Sequence, residues 1–337
     1  MKRRAFLLSA LGVSGALVVG WAVAPPASRL GSASRSRPVA LNGWVRVADD
    51  GTVGIVVPRS EMGQGVWTAL PMLVAEELEV PLERVRIEPA GDDPIYGNEV
   101  VLAESLPLHP DQADTAGARI ADWFVSKIAR DLGVQITGGS TSVRDAWEPM
   151  RQAGAAARLM LIEAAARRWG VPAAGLTARD GRVLEAGGRA AGYGELAAEA
   201  ARLAPPARIE LKQPGQFRLI GRPVPRIDGA DKASGRTVYG IDVRLPGMLY
   251  ATIRGCPQIG GALRSFDATE AERMPGVVRV VRYRGGDGCA PGLAVVARSH
   301  WEAQQALARI RVEWDAGAAA PADGELLVQQ MLNRRNS

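Results

Sequence analysis

The octapeptide Glu61-Met62-Gly63-Gln64-Gly65-Val66-Trp67-Thr68 places a carboxylate, an amide side chain and two glycines in consecutive reach of one another. Glycines let an anion approach the backbone closely, and a glutamine beside them both donates and accepts hydrogen bonds. If this stretch opens a helix, its free N–H groups and the positive end of the dipole favour a phosphate or an oxo group. A second stretch, Gly138-Gly139-Ser140-Thr141-Ser142, repeats the design with hydroxyls added. Two such cradles suit one long ligand with more than one polar end. Alone, the first reads more readily as a tight turn and the second as an ordinary loop with an N-cap, and neither matches the dinucleotide fingerprint or the Gly-Lys-Ser/Thr phosphate loop. The chemistry therefore has to come from their combination.

The elements around them fit that role. Residues 43–57 read as a hairpin, with apolar Trp44, Val45 and Val47, an Asp49-Asp50-Gly51 turn, then Val53, Ile55, Val56 and Val57. Residues 68–80 keep helical spacing through Leu70, Leu73, Val74 and Leu78, so the first glycine stretch sits between a strand and a helix. The second precedes a helical pattern over 147–169, where Pro149 suits a first turn and Gly170 the position just past the end. Residues 179–189 read as a hairpin and 195–203 as an Ala-rich helix. From Gln213 the pattern shortens. Strands are expected at 238–243, 248–253, 277–283, 292–297 and 310–314, and helices at 268–274 and 301–309, the last turning Ala303, Ala306 and Leu307 inward.

The inventory excludes much. His109 and His300 are the only histidines, and Cys256 and Cys289 the only cysteines, so most zinc, haem and iron-sulfur sites built from this chain alone are excluded. Both histidines read as structural, and the cysteines as a disulfide or as small buried residues. Any redox chemistry must come from a bound cofactor. Glu61 either orients the glycine turn or is a solvated loop acid, while Glu76-Glu77 and Asp92-Asp93 read as surface or turn charge. No general base is named by the sequence.

The front of the chain carries Lys2-Arg3-Arg4, Phe6-Leu7-Leu8 and an apolar run to Ala24, which resembles a twin-arginine export signal. That route implies a periplasmic protein folded around its cofactor before export; the alternative is an uncleaved membrane anchor. No stable membrane span is otherwise expected. Six of the 41 Lys and Arg precede Val39 and none of the 36 acids does, so 35 bases face 36 acids beyond it. The basic balance is a leader effect, and nucleic acid is excluded as a partner.

Taken together, Glu61-Met62-Gly63-Gln64-Gly65 with Leu70-Pro71-Met72-Leu73, and Gly138 to Pro149 with Arg151-Gln152-Ala153-Gly154, resemble the molybdenum-binding subunit of the xanthine and aldehyde oxidase family. The likeness is greatest to its exported isoquinoline 1-oxidoreductase beta-subunit type, N-terminal half. Residues 220–315, with Gly221-Arg222-Pro223-Val224-Pro225-Arg226 and Tyr239-Gly240-Ile241-Asp242, are similar to its α/β hammerhead domain. The resemblance implies an α+β chain: signal and linker over 1–38, a partial molybdopterin-dinucleotide-binding α/β domain over 39–212, a hammerhead domain over 213–316 and a tail over 317–337. It further implies a molybdenum-molybdopterin cytosine dinucleotide cofactor, hydroxylation of an N-heterocycle or aldehyde with oxygen from water, and electron transfer to a two-cluster iron-sulfur subunit. By motif, Gly63, Gln64 and Gly65 would contact the pterin or its phosphates, and Gly139, Ser140 and Thr141 the dinucleotide tail. Arg144 would neutralise phosphate charge or form a structural salt bridge. No metal ligand is expected from the protein, because the pterin's sulfurs hold the metal. The catalytic glutamate and a Gly-Gly-x-Phe-Gly-Gly loop are expected in a C-terminal half outside these residues. The chain alone is then expected to be inactive; the alternative is a non-catalytic remnant or structural module.

Overall fold

A computed structural model describes residues 28–31, 33, 37–104, 115–258, 260–286, 290–317 and 324–335. The export motif, His109 and Cys289 lie outside the described residues. The chain is α+β and divides into two compact units, residues up to Thr237 and residues from Val238.

In the first unit, β1 (Val39–Ala40), β2 (Val45–Val47) and β3 (Val53–Val57) form an antiparallel meander. Helix α1 (Val66–Leu78) then crosses over to β4 (Val85–Pro89), which pairs with β3 in parallel, Val53 opposite Val85 and Val57 opposite Pro89. A parallel pair needs such a crossover, and ligands of these units lie beyond the carboxyl ends of the strands. Every residue of β3 is buried, consistent with a strand covered on both faces. There follow α2 (Glu99–Ala103), α3 (Ala116–Leu132) and the long α4 (Ser142–Trp169). A small sheet of β5 (Leu176–Arg179), β6 (Arg182–Glu185) and β7 (Ala190–Gly192) leads to α5 (Tyr193–Ala200), and a short α6 (Gly229–Ala233) comes last.

The core joins Trp44, Ile55, Leu70, Leu78, Met150, Leu161 and Leu196, all fully buried, with Tyr96 edge-on to Trp44 at 5.0 Å between ring centroids. Helices α1 and α4 pack at Gly154, where an added Cβ would lie 2.5 Å from the Val74 carbonyl oxygen. They run in the same sense. Arg59 and Ser60 before α1 meet Asp145 in the first turn of α4 and Thr137 in the loop before it, while further along Arg158 Nε donates to the Glu77 carbonyl at 2.6 Å.

Helix α4 begins at Ser142, five residues before the sequence pattern predicts, and Pro149 lies inside it. The apolar periodicity misses that first turn because its buried residues include Asp145 and small Ala146. Glu76 and Glu77, expected as surface charge, are buried. Glu77 accepts from Arg151 Nε and Nη2 at 3.0 and 2.7 Å; Glu76 accepts from Lys212 Nζ and from the consecutive amides of Arg218, Leu219 and Ile220. The two glutamates thereby tie residues 212–220 onto α1. Leu219, Ile220 and Ile227 pack on the first unit's core.

The second unit contains an antiparallel sheet of β10 (Val277–Tyr283), β11 (Gly292–Ala297) and β8 (Tyr250–Gly255), and a ribbon of β12 (Arg311–Asp315) and β9 (Ala262–Asp267). Helix α7 (His300–Ala308) buries Ala303, Ala306 and Leu307, and a helix α8 (Gly324–Arg335) follows. The strand expected at 238–243 is a correction. Only a 3-10 turn forms, Gly240–Asp242, because no neighbouring strand pairs with it among the described residues, and Val238 and Ile241 stand exposed. The helix expected at 268–274 shrinks to a 3-10 turn, Ala271–Arg273. Cys256 is half-buried with a free thiol.

Candidate functional site

The two glycine stretches converge. Ser60, one residue before the first, donates its amide to Thr137 Oγ1, one residue before the second, at 2.9 Å. Because α1 and α4 run in the same sense, their N-termini lie at one end and their dipoles add there. A cavity of about 470 Å³ opens beside this joint, lined by Val57 and Pro58 at the end of β3, Pro89 and Ala90 at the end of β4, and Arg59, Trp67 and Thr137.

Beneath it lies a cluster that sequence reasoning missed. Asp145, nearly buried, accepts from Arg59 Nη2 at 2.6 Å, from Arg29 Nη2 at 3.1 Å and from the Glu99 amide at 2.9 Å. Glu99 in turn pairs with Arg29 at 3.3 Å and Arg130 at 2.8 Å. Three guanidiniums and two carboxylates thus interlock at the helix starts. Burial pulls the Arg59 guanidinium below its usual range, against the pull of Asp145. Arg59 is 3% exposed, and its Nε is the one buried side-chain polar atom without a hydrogen-bond partner among the described residues. The only local signal was an arginine following a Pro in a buried strand end. Arg29, in a stretch whose Pro, Ser and Gly content reads as linker, also donates to the carbonyls of Ile95 and Gly97.

The first loop is shaped by its own acid. Gly63 and Gly65 adopt φ of 104° and 86°, conformations that favour glycine, and a Cβ on either would meet open space. Glu61 accepts from the amides of Gly63, Gly65 and Trp67 at 2.7, 3.1 and 3.1 Å. Burial works to raise the Glu61 carboxyl, but those amides and Arg226 outweigh it, and the net shift is downward. Gln64 turns back on the loop: its Oε1 accepts from the Met62 amide and its Nε2 donates to the Ser60 carbonyl. The amides of Gln64 and Val66 have no partner among the described residues.

In the second loop, Gly139 and Ser140 take φ of 62° and 56° and are exposed. Thr141 is buried; its hydroxyl accepts from Asn98 Nδ2 at 2.7 Å and donates to the Gly138 carbonyl at 2.8 Å, so it holds the turn from inside. Arg144 forms a half-exposed salt bridge with Glu104. Of the residues singled out by sequence, Gly63 and Gly65 leave open space where a side chain would stand but turn their amides to Glu61, Gly139 and Ser140 are exposed, and Gln64 and Thr141 point into their own turns.

Residues 10–98 match the family described as the molybdopterin cofactor-binding domain, a span that includes the first glycine loop and not the second. The chain is 34% identical to the beta subunit of isoquinoline 1-oxidoreductase of Brevundimonas diminuta, over 94% of this chain and 40% of that protein. It is 30% identical to a membrane-bound aldehyde dehydrogenase (pyrroloquinoline-quinone) of Gluconacetobacter polyoxogenes, over 94% of this chain and 38% of that protein. A nicotinate dehydrogenase subunit of Pseudomonas putida is 28% identical, over 90% of this chain and 23% of that protein. The chain thus spans two fifths or less of the curated relatives it matches. Among solved structures, the CO dehydrogenase of Oligotropha carboxidovorans is 21% identical over 28% of this chain and 15% of that chain, with a TM-score of 0.24, a likeness too slight to carry an argument.

Proposed function

From a chain that carries a molybdopterin cofactor-binding domain and is a relative of the isoquinoline 1-oxidoreductase beta chain, we propose the N-terminal part of a molybdenum hydroxylase large subunit, working in the periplasm. Its cofactor is a molybdenum-molybdopterin cytosine dinucleotide, its substrate an N-heterocycle or aldehyde, and its electron acceptor an iron-sulfur subunit. Activity requires the further polypeptide that its relatives contain. The observation that carries this reading is the Ser60–Thr137 joint, which brings the residues leading into the two glycine stretches together beside one cavity that Ser60, Met62, Thr137 and the guanidinium-bearing Arg59 line.

The residues present fit an anionic, phosphate-bearing cofactor. Open space beside Gly63 and Gly65, the free amides of Gln64 and Val66, and the orphaned Arg59 Nε offer backbone and charge without metal ligands. When bound, the cofactor supplies the redox chemistry and the activated oxygen. The chain's own part is to hold it: the Gly63–Gly65 turn against the pterin or its phosphates, Gly139 and Ser140 against the nucleotide tail. Arg59 and its neighbours stabilise the phosphate charge, as helix N-termini do. Gln64 and Thr141 shape the two turns, and Arg144 steadies the start of α4.

Metal analysis of the chain co-expressed with the polypeptide that completes its relatives tests the reading. Molybdenum and a released cytidine nucleotide are expected, and Gly65→Val is expected to lower both, since a β-branched residue is strained at that φ and its side chain enters the open space. A completed protein free of both would overturn it. A second reading, a non-catalytic structural module, is favoured by one observation: Glu61 already takes three of the first loop's amides.

A further inference from the structure

The planar guanidinium of Arg226 has partners on several sides. Its Nη2 lies 3.0 Å from Glu61 Oε1, its Nη1 donates to the Gly63 carbonyl at 2.9 Å, and Asp228 braces Nε and Nη2 at 2.9 and 3.0 Å. Asp228 is itself held by Lys232 at 2.5 Å, and the Ile227 amide donates to Thr68 Oγ1 in the first turn of α1 at 3.0 Å. Residues 226–232 therefore grip the glycine loop from the outside, on a carboxylate, a carbonyl and a helix hydroxyl.

We propose that Arg226 is a positioning residue that sets the shape of the Gly63–Gly65 loop through Glu61, so that residues 226–232 control whether the loop can receive the cofactor. The inference rests on the reading that this loop contacts the cofactor. Its physical basis is the placement of Glu61. That side chain is 3% exposed, and a carboxylate so enclosed needs a counter-charge. Arg226 is the nearest at 3.0 Å; Lys232, at 3.9 Å, is the next and is already engaged by Asp228. Without Arg226 the Glu61 carboxylate turns toward water and releases the amides of Gly63, Gly65 and Trp67. A turn built on two left-handed glycines has many other conformations available once those bonds are gone. Burial opposes ionisation of Asp228 less than Arg226 and Lys232 favour it, so its carboxyl lies far below the ordinary range and Arg226 stays braced at neutral pH.

The test has two arms. In the full chain, hydrogen exchange at the Gly63, Gly65 and Trp67 amides is expected to quicken by roughly tenfold or more in Arg226→Gln, with Arg226→Lys intermediate because it keeps the charge and loses the forked contacts. Arg226→Gln added to Glu61→Gln is expected to quicken exchange by much less than it does alone, since only its bond to the Gly63 carbonyl remains to be lost. In the completed protein, molybdenum and pterin content is expected to fall in step with exchange, with circular dichroism confirming that each variant folds. Exchange unchanged in Arg226→Gln overturns the proposal. Faster exchange with full cofactor content overturns its cofactor half. A wild-type completed protein without molybdenum overturns the functional reading, a result the exchange arm distinguishes from failure of the Glu61–Arg226 linkage.

Discussion

Replacing Gly154 with alanine sets two effects of opposite sign against each other in one methyl group. Gly154 lies in the middle of α4, where helix propensity favours alanine by about 1 kcal/mol. The same methyl would sit 2.5 Å from the Val74 carbonyl oxygen and 3.1 Å from Val74 Cα and Glu77 Cβ. Two of those three atoms are backbone, so relief requires α1 and α4 to separate by several tenths of an ångström. Overpacking of this kind costs roughly 1–3 kcal/mol and can cost more when backbone must move. The steric effect is expected to win, with a net loss of about 1–2 kcal/mol. With a urea dependence of about 2 kcal/mol/M, that lowers the first unit's unfolding midpoint by roughly 0.5–1 M. Gly117→Ala is the control, because its Cβ would meet nothing within 4 Å; it should leave the midpoint unchanged or raise it. A Gly154→Ala protein as stable as wild type, or more so, would refute the argument that these helices touch backbone to backbone.

Other outcomes follow from the buried charges. Arg151→Leu strips Glu77 of its two shortest side-chain bonds, leaving the amide of Lys212 and a more distant Arg158, and is expected to cost about 3–5 kcal/mol by urea unfolding, far more than a surface pair would. Burial acts to raise the Glu76 carboxyl, but Lys212 and the amides of Leu219, Arg218 and Ile220 overcome it and lower it below the ordinary value of 4.5. A carboxyl depressed in the folded state contributes its stabilisation above that ordinary value and loses it as pH falls through the folded one. Stability measured against pH should therefore be level near neutrality and decline below about 4.5, and Glu76→Gln should lower the plateau and flatten the decline.

The sequence made the frame of the site legible wherever apolar spacing was strong. The hairpin of β2 and β3, the helix after Gly65, the left-handed cap at Gly170 and the inward face of α7 all follow from periodicity and glycine placement. What stayed hidden depended on partners distant along the chain. Glu76 and Glu77 look like solvated charge until residues 212–220 are laid over them, and no local pattern announces that crossing. Arg59 and Asp145 are 86 residues apart, so their pairing is a consequence of helix packing and is written in neither neighbourhood. Glu61 was half legible, since an acid at the start of a glycine turn can reach its amides, but the grip of Arg226 on that turn spans 163 residues. The strand pattern at 238–243 shows the converse: alternation states a propensity, and without a neighbouring strand the propensity goes unused.

Glu76 recognises residues 218–220 by their main chain alone, three N–H groups in succession converging on one oxygen. That part of the attachment is therefore indifferent to which side chains residues 218–220 bear, so long as none is proline, while Leu219 and Ile220 add packing on the core that does depend on them. The burden falls on a single position in α1. Aspartate there would be one carbon too short and glutamine would offer hydrogens to hydrogens, so tolerance in that contact is matched by intolerance at its anchor.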